Sequence, residues 1–401
     1  MSTWLSIVGI GEDGLEPLST AAKKAIAEAR LLIGGERHLA MLPDDGRERK
    51  SWPSPLMVLV EEVLSRRGEK ICILATGDPM QYGIGVTFAK RLKAEEMAIF
   101  PSLSAFSLAA ARLGWDLNRT DCLTLHGRPL DLLNAHLRDG ARLLALSDSG
   151  RTPADVAALL TRMGYGESRL TILEHMGGIE EKIFGATAAD LGGKAFRDFN
   201  TLAIECKAGP NVMRLTRTPG LPDTAFAHDG QLTKQEVRSV TLSALAPNPG
   251  ELLWDIGAGC GSIAIEWMRM HPLNCAVVIE TRQDRLALIE ENRRTLGVPQ
   301  LKIVEGVAPA ALKGLEAPDA VFIGGGVTHP GVFETTFDAL KPGGRLVANA
   351  VTMEGEARLF DLYGAKGGSL IRLNFARAGE IGGFTGWKPF RQVTQLRMVK
   401  E

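Results

Sequence analysis

The sequence predicts an α/β protein built from two separately organised units. Three observations carry that prediction. The chain has 401 residues, and at about 100 to 200 residues per domain two or three domains are expected. Short apolar runs alternate with helical stretches through both halves, the signature of strand and helix in succession. Glycine is in excess, 45 of 401 residues against an average usage near 7%, and much of the surplus falls in loops that directly follow apolar runs.

Taken in order, Leu5–Ile10 reads as a strand and Ser19–Arg30 as a helix. Ile71–Ala75 and Met97–Phe100 read as strands followed by helices at Ile84–Leu92 and Ser104–Leu113. Strands recur at Arg142–Leu146, Arg169–Leu173 and Thr201–Cys206, with Pro153 in the first turn of a helix over Asp155–Met163. Gly209-Pro210, Pro219-Gly220 and Pro222 then break the pattern, so residues 208–227 are expected to be a linker between a first unit, 1–207, and a second, 228–401. The second unit opens with Thr233-Lys234-Gln235-Glu236, a capping-box pattern ahead of a helix through Leu245. Strands are expected at Leu252–Ile256, Ala276–Glu280, Leu301–Val304, Ala320–Ile323, Arg345–Ala350, Ser369–Ala376 and Gln392–Val399, with a helix over Gln283–Leu296. Seven strands with intervening helices make a doubly wound, Rossmann-like domain that ends in a hairpin-like pair.

Composition excludes several classes. With 46 basic and 47 acidic side chains, the net charge of -1 offers no electrostatic footprint for nucleic acid. Cys72, Cys122, Cys206, Cys260 and Cys275 are odd in number, scattered and without a Cys-x-x-Cys pair, which points to reduced thiols and to no metal site. No apolar run reaches the ~18 residues of a membrane span. Met1–Gly14 has no basic lead, so a cytoplasmic protein without a signal peptide is expected.

The strongest local signal is Asp255-Ile256-Gly257-Ala258-Gly259-Cys260-Gly261, between a strand and a helix. Glycines there let backbone approach a ligand and leave helix N-terminal amides open. Glu280 ends the next strand, where a carboxylate can accept both hydroxyls of a ribose. Asp255 lies two positions before the first glycine; a carboxylate there repels a pyrophosphate but suits an ammonium group. A ribose, an ammonium and no phosphate describe S-adenosylmethionine better than a nicotinamide dinucleotide.

With Asp229-Gly230 and Leu232 to Arg238 added, this region resembles the class I methyltransferases, and specifically the decarboxylating precorrin methyltransferase domain of cobalamin biosynthesis, over roughly residues 226–400. The resemblance implies that Thr233 and the Gly257–Gly261 loop hold the methionyl part of the cofactor, Glu280 the ribose, and the stretch around Ala308 the adenine. Val307 stands where similar proteins often carry Asp, which shifts adenine recognition to backbone groups. Gly324, Gly325 and Gly326 end the fourth strand as a floor for a broad, flat acceptor. His329 beyond them is a candidate acid or hydrogen-bond donor, and Arg238 a candidate for binding an acceptor carboxylate.

In the first unit, Gly9-Ile10-Gly11-Glu12-Asp13-Gly14, Gly77-Asp78-Pro79 through Gly85, and Pro101-Ser102-Leu103-Ser104-Ala105 each follow a strand and are expected to converge. With His126-Gly127-Arg128 they resemble the tetrapyrrole methylase family over about residues 3–206, a two-lobed fold that also uses S-adenosylmethionine. The resemblance implies cofactor contacts from Gly9, Gly11, Asp78, Gly83, Ile84, Ser104 and Ala105, with Asp13 toward the acceptor. Glu12 stands where many relatives have proline. Charges at Glu174, Glu180 and Glu181 read as structural.

Together the two resemblances imply C-methylation of precorrin-6Y/6B at meso carbons 5 (first unit) and 15 (second unit), with decarboxylation of the carbon 12 acetate, giving precorrin-8. One cofactor per unit and a homo-oligomer are expected. The rival readings are a class I RNA or protein methyltransferase with an N-terminal binding module, and a nicotinamide-dependent oxidoreductase. Neutral charge, the missing Asn/Asp-Pro-Pro-Tyr motif and the loop spacing weigh against them.

Overall fold

The computed structural model describes residues 3–401. The chain divides into two compact units, residues 1–128 with 138–212, and residues 129–137 with 213–401.

The first unit holds two sheets. Strands β1 (Leu5–Ile10), β2 (Leu31–Gly34), β3 (Glu48–Ser51), β4 (Ile71–Thr76) and β5 (Met97–Phe100) form a parallel sheet in the order β3-β2-β4-β1-β5. Helices α1 (Thr20–Glu28), α2 (Glu36–Ala40), α3 (Met57–Ser65) and α4 (Ile84–Ala89) connect them. Leu5, Ile7, Leu31, Ile33 and Ile73 face α3 and Phe88, while Val8, Ile10, Leu32 and Leu74 meet Ala22 and Ile26 of α1, so both faces are covered and the strands read as near-continuous apolar runs. Helix α5 (Ala105–Leu113) leads into the second sheet, built from β6 (Asp121–Thr124), β7 (Arg142–Leu146), β8 (Arg169–Glu174), β9 (Lys182–Thr187) and β10 (Asn200–Glu205), in the order β6-β7-β10-β8-β9. Only β6 and β7 pair in parallel. Helix α6 (Thr152–Arg162) carries Pro153 in its first turn, as expected.

In the second unit, helix α7 (Gln235–Leu245) precedes β11 (Leu252–Ile256), α8 (Ser262–Met270), β12 (Cys275–Glu280), α9 (Gln283–Thr295), β13 (Lys302–Glu305), β14 (Ala320–Ile323), α10 (Val332–Ala339), β15 (Arg345–Ala350), α11 (Met353–Lys366) and β16 (Ser369–Leu373). An exposed hairpin of β17 (Ala376–Ile381) and β18 (Phe384–Pro389) comes before the last strand, β19 (Val393–Val399). The seven-stranded order β13-β12-β11-β14-β15-β19-β16 is parallel through β15, with β19 antiparallel between β15 and β16. The sequence placed one strand over Ser369–Ala376; the chain instead stops at Leu373 and starts the separate hairpin at Ala376.

Three expectations change. Residues 208–227 are not a free tether: the Gly209 N–H bonds the Gly164 carbonyl at 2.9 Å, whereas Leu221 and Phe226 are buried in the core of the second unit. Residues 129–137 belong with the second unit, where Asn134 Nδ2 donates to the Arg294 carbonyl at 3.0 Å. The capping box does not form. Lys234 is the residue before α7 and no side chain caps it, because Glu236 turns outward to Arg377 at 2.7 and 2.8 Å.

Candidate active sites

The first unit brings its three loops together at Gly9. A Cβ on Gly9 would stand 1.8 Å from the Gly77 carbonyl oxygen and 2.8 Å from the Ser102 nitrogen, so no side chain fits. Backbone bonds close the junction: Gly77 N–H to the Ile10 carbonyl at 3.0 Å and Ser102 N–H to the Gly77 carbonyl at 3.1 Å. Beside it opens a cavity of about 880 Å³ lined by Asp13, Asp78, Met80, Gln81, Ser104 and Ser107, among others. Asp78 Oδ1 accepts the Met80 N–H at 2.8 Å, which sets the turn and leaves its second oxygen for a ligand. Ser104 caps α5, accepting the Ser107 N–H at 3.1 Å. Gly11 lies under the Asp13 carboxylate, and Gly83 lines a second cavity. Ile84 and Ala105 line neither cavity; their side chains pack against core clusters.

Glu12 has a role that the sequence left open. Its carboxylate pairs with Arg37 and, at 2.9 Å, with His175 Nδ1, so one side chain joins the exit of β1 to the exit of β8 on the other sheet. Arg37 in turn lies 4.4 Å over the Phe199 ring. A proline at position 12 would lack this clasp. Glu181 and Glu180 pair with Arg112 and Arg197, the structural use expected for them.

In the second unit the chain order reverses between β11 and β14, and a crevice forms outside the strand ends at such a point. Gly257, Gly259 and Gly261 all have left-handed φ, +69°, +60° and +79°, which accounts for the alternating glycine spacing. A Cβ on Gly257 would meet the Gly325 backbone at 3.1 Å, while Gly324 N–H bonds the Ile256 carbonyl at 3.0 Å. Loop and glycine floor therefore touch. Glu280, distant in sequence, accepts the Gly259 N–H at 2.9 Å through one oxygen and those of Thr281 and Arg282 at 2.8 and 3.1 Å through the other. Gly306 N–H bonds the Glu280 carbonyl at 3.0 Å, which brings Val307 and Ala308 beside it. Ala308 is buried and Val307 exposed.

Asp255 is the electrostatic centre of this site. It is fully buried, with Oδ2 accepting the Ala264 N–H of α8 at 3.2 Å and Oδ1 without a partner. Burial pushes its carboxyl up to about 7, opposed by the Ala264 bond and reinforced by the nearby charge of Glu280. An orphaned buried carboxylate oxygen next to a glycine loop fits a cationic ligand group. Cys260 offers backbone alone, its side chain being buried in the core. Thr233 is half-buried, and its carbonyl accepts from Arg238. His329 is exposed, with its ring folded over Gly326.

Arg238 is a correction. Its side chain is fully buried and bonds Glu266 at 2.5 Å, Asp223 at 3.2 Å and the carbonyls of Leu221 and Thr233. Completely buried, the guanidinium is out of reach of an acceptor. Glu266, unremarked in the sequence, also accepts the Gly220 and Leu221 N–H groups, so the pair fastens residues 219–238 onto α8. Glu266 sits one turn inside an apolar helix, and a carboxylate that such a helix buries needs a partner, which was the available signal.

Glycine loops at the carboxyl ends of parallel strands in both units, one of them beside a buried acid, fit a chain of two methyltransferase units. The model of the Tetrapyrrole (Corrin/Porphyrin) Methylases matches residues 5–192, and that of the precorrin methyltransferase domain residues 224–400. A precorrin-6Y C(5,15)-methyltransferase [decarboxylating] from Sinorhizobium sp is 50% identical over 401 residues, covering 100% of this chain and 97% of its own length. Two shorter relatives from Salmonella typhimurium (strain LT2) are each 32% identical: a cobalt-precorrin-7 C(5)-methyltransferase over 45% of this chain and 88% of its own length, and a cobalt-precorrin-6B C(15)-methyltransferase (decarboxylating) over 42% and 90%. The chain belongs to the precorrin-6Y C5,15-methyltransferase (decarboxylating) family and is a methyltransferase.

Proposed function

We propose that the chain methylates a precorrin at meso carbons 5 and 15 and removes the carbon 12 acetate carboxyl as carbon dioxide. The first unit serves carbon 5, the second carbon 15 with decarboxylation, and each uses its own S-adenosylmethionine. The observation that carries the cofactor assignment is the orphaned Oδ1 of Asp255 beside the Gly257–Gly261 loop. That separate units serve the two carbons is supported by two relatives, each about half the length of this chain and named for one carbon alone.

When bound, S-adenosylmethionine supplies an electrophilic methyl group on sulfur. In the second unit Asp255 would hold the ammonium, Glu280, its carboxylate oriented by three N–H groups, would receive the ribose hydroxyls, and backbone around Ala308 would edge the adenine. In the first unit Asp13, Asp78 and Ser104 line one cavity, where Asp78 and Ser104 would face the cofactor and Asp13 the acceptor. The acceptor carbon, made electron-rich by conjugated pyrrole nitrogens, needs no protein nucleophile. Positioning is the main task of the chain, and orientation alone is worth up to about 7–11 kcal/mol. Gly324 to Gly326 let a flat ring lie against the strand ends, with His329 above Gly326 as a hydrogen-bond donor to an acceptor carboxylate. The working form is a cytoplasmic homo-oligomer.

The test is mass spectrometry of the acceptor after incubation with the full chain and methyl-labelled cofactor. Two labelled methyls and the loss of one carbon dioxide are expected. Addition of a single methyl, or retention of the carboxyl, contradicts the reading.

A further inference from the structure

We propose that Arg128, laid against the ring of Tyr82, receives a carboxylate of the acceptor in the first unit. The inference rests on the carbon 5 reading above and adds the group that recognises the acidic periphery of the tetrapyrrole.

The second cavity of the first unit, about 490 Å³, is lined by Tyr82, Gly83, Cys122 and Arg128 and shares Met80 and Gln81 with the cavity that holds Asp13, Asp78 and Ser104. Arg128 is the one cation among the residues lining the two, and among the described residues it makes no ion pair. Its guanidinium carbon lies 5.8 Å from the Tyr82 ring centroid, within cation–π reach.

Both partners are held. Tyr82 has φ +57°, a left-handed backbone that bulky residues rarely adopt and that collects at ligand sites. Its ring meets Phe106 edge-on at 6.1 Å, and its hydroxyl donates to the Cys122 carbonyl at 2.9 Å. On the other side, the turn that carries Arg128 is pinned by Gly127 N–H to Asp148 Oδ1 at 2.8 Å and Arg128 N–H to the Leu125 carbonyl at 3.2 Å. A planar, exposed fork of donors, uncommitted to any protein carboxylate and within reach of a fixed ring, matches the bidentate geometry of a ligand carboxylate.

Two sources could supply that carboxylate, the acetate and propionate arms of the acceptor or the methionyl end of the cofactor. The lining chemistry favours the acceptor. The methionyl carboxylate carries an ammonium on the adjacent carbon, which calls for an acid close to the arginine, and no residue lining the second cavity is acidic. The acids, Asp13 and Asp78, line the first cavity.

The experiment uses the full chain and steady-state carbon 5 methylation. Arg128→Gln should raise the acceptor KM about 10- to 100-fold with kcat within twofold, while calorimetric cofactor binding and carbon 15 methylation stay unchanged. Arg128→Lys should recover only part of the loss, since a point charge cannot fork. Tyr82→Leu should raise KM in the same direction by less. With an acceptor whose carboxylates are methyl esters, the wild-type chain and Arg128→Gln should behave alike. Weakened cofactor binding in Arg128→Gln would overturn the proposal in favour of the methionyl source. An unchanged KM, or a difference that persists with the ester, overturns it outright. A wild-type chain that leaves carbon 5 unmethylated overturns the underlying reading as well, so the two failures are distinguishable.

Discussion

The two units reach a ligand crevice by different means. In the first, three loops far apart in sequence meet at Gly9, and the acids that face the cavity, Asp13 and Asp78, are at most half-buried. In the second, one contiguous glycine loop lies at the centre, and its acid, Asp255, is fully buried with one oxygen unpaired. The first unit thus depends on long-range assembly for its shape, and the second depends on electrostatics stored within a local motif. Substitutions should separate these two dependences.

The largest effect is expected where assembly is most crowded. Gly9→Val places side-chain atoms inside the Gly77 carbonyl, and overpacking of this kind costs about 1–3 kcal/mol or more while forcing the loops apart. Carbon 5 methylation should fall by more than 100-fold, read as loss of one labelled methyl, while the second unit keeps its cofactor binding. Retained carbon 5 methylation would remove the idea that the three loops form one site.

Next comes Arg238→Gln, which strands Glu266 in the core. Breaking a buried pair by removing one partner typically costs about 3–5 kcal/mol. The second unit should melt markedly lower in calorimetry. A variant with native melting and a raised acceptor KM would restore Arg238 as a binding residue.

Asp255→Asn should weaken cofactor binding to the second unit by about 10- to 100-fold, the range of a charge-assisted hydrogen bond. The pH dependence sharpens this. An ammonium needs the ionised carboxylate, so affinity in the wild-type chain should climb with pH until about 7 and then level off; in Asp255→Asn that slope should vanish. The sign for stability is opposite. The folded group retains its proton where the unfolded one, near 3.9, has released it, so its contribution to folding is full below about pH 4 and is lost as pH rises through about 7. Titration calorimetry and thermal melts across pH 5 to 9 measure both.

The smallest change is expected from Glu12→Gln, which loosens the link from β1 to Arg37 and His175. About 1 kcal/mol of stability in the first unit is at stake, visible as a modest drop in its melting temperature. No effect on the second unit is expected.

Local chemistry was the legible part of the sequence. Leu5–Ile10, Met97–Phe100, Arg142–Leu146, Leu252–Ile256, Ala320–Ile323 and Arg345–Ala350 are strands with the bounds their apolar runs suggested, and Ser19 and Ser104 cap helices where they were expected to begin. The glycine loops announced both crevices because left-handed φ and close backbone approach leave a residue-type mark. What escaped lay in tertiary partners. β3 reads Glu-Arg-Lys-Ser and β9 is mostly exposed, so neither carries an apolar period. Thr233 and Glu236 have the right spacing for a cap, but Arg377, 141 residues away, takes the glutamate. Arg238 looks like a surface cation on its helix until Glu266, Asp223 and two carbonyls close around it. Residues 129–137 carry no mark that they pack with the second unit.

The central claim is that one chain carries two independent cofactor sites. Titration calorimetry with S-adenosylmethionine tests it most directly, on the wild-type chain and on Gly9→Val and Gly257→Val. The account predicts two equivalents bound per wild-type chain and one per chain in each variant, with different residual affinities because different sites survive. One equivalent in the wild-type chain, or loss of both sites from either single substitution, would contradict it.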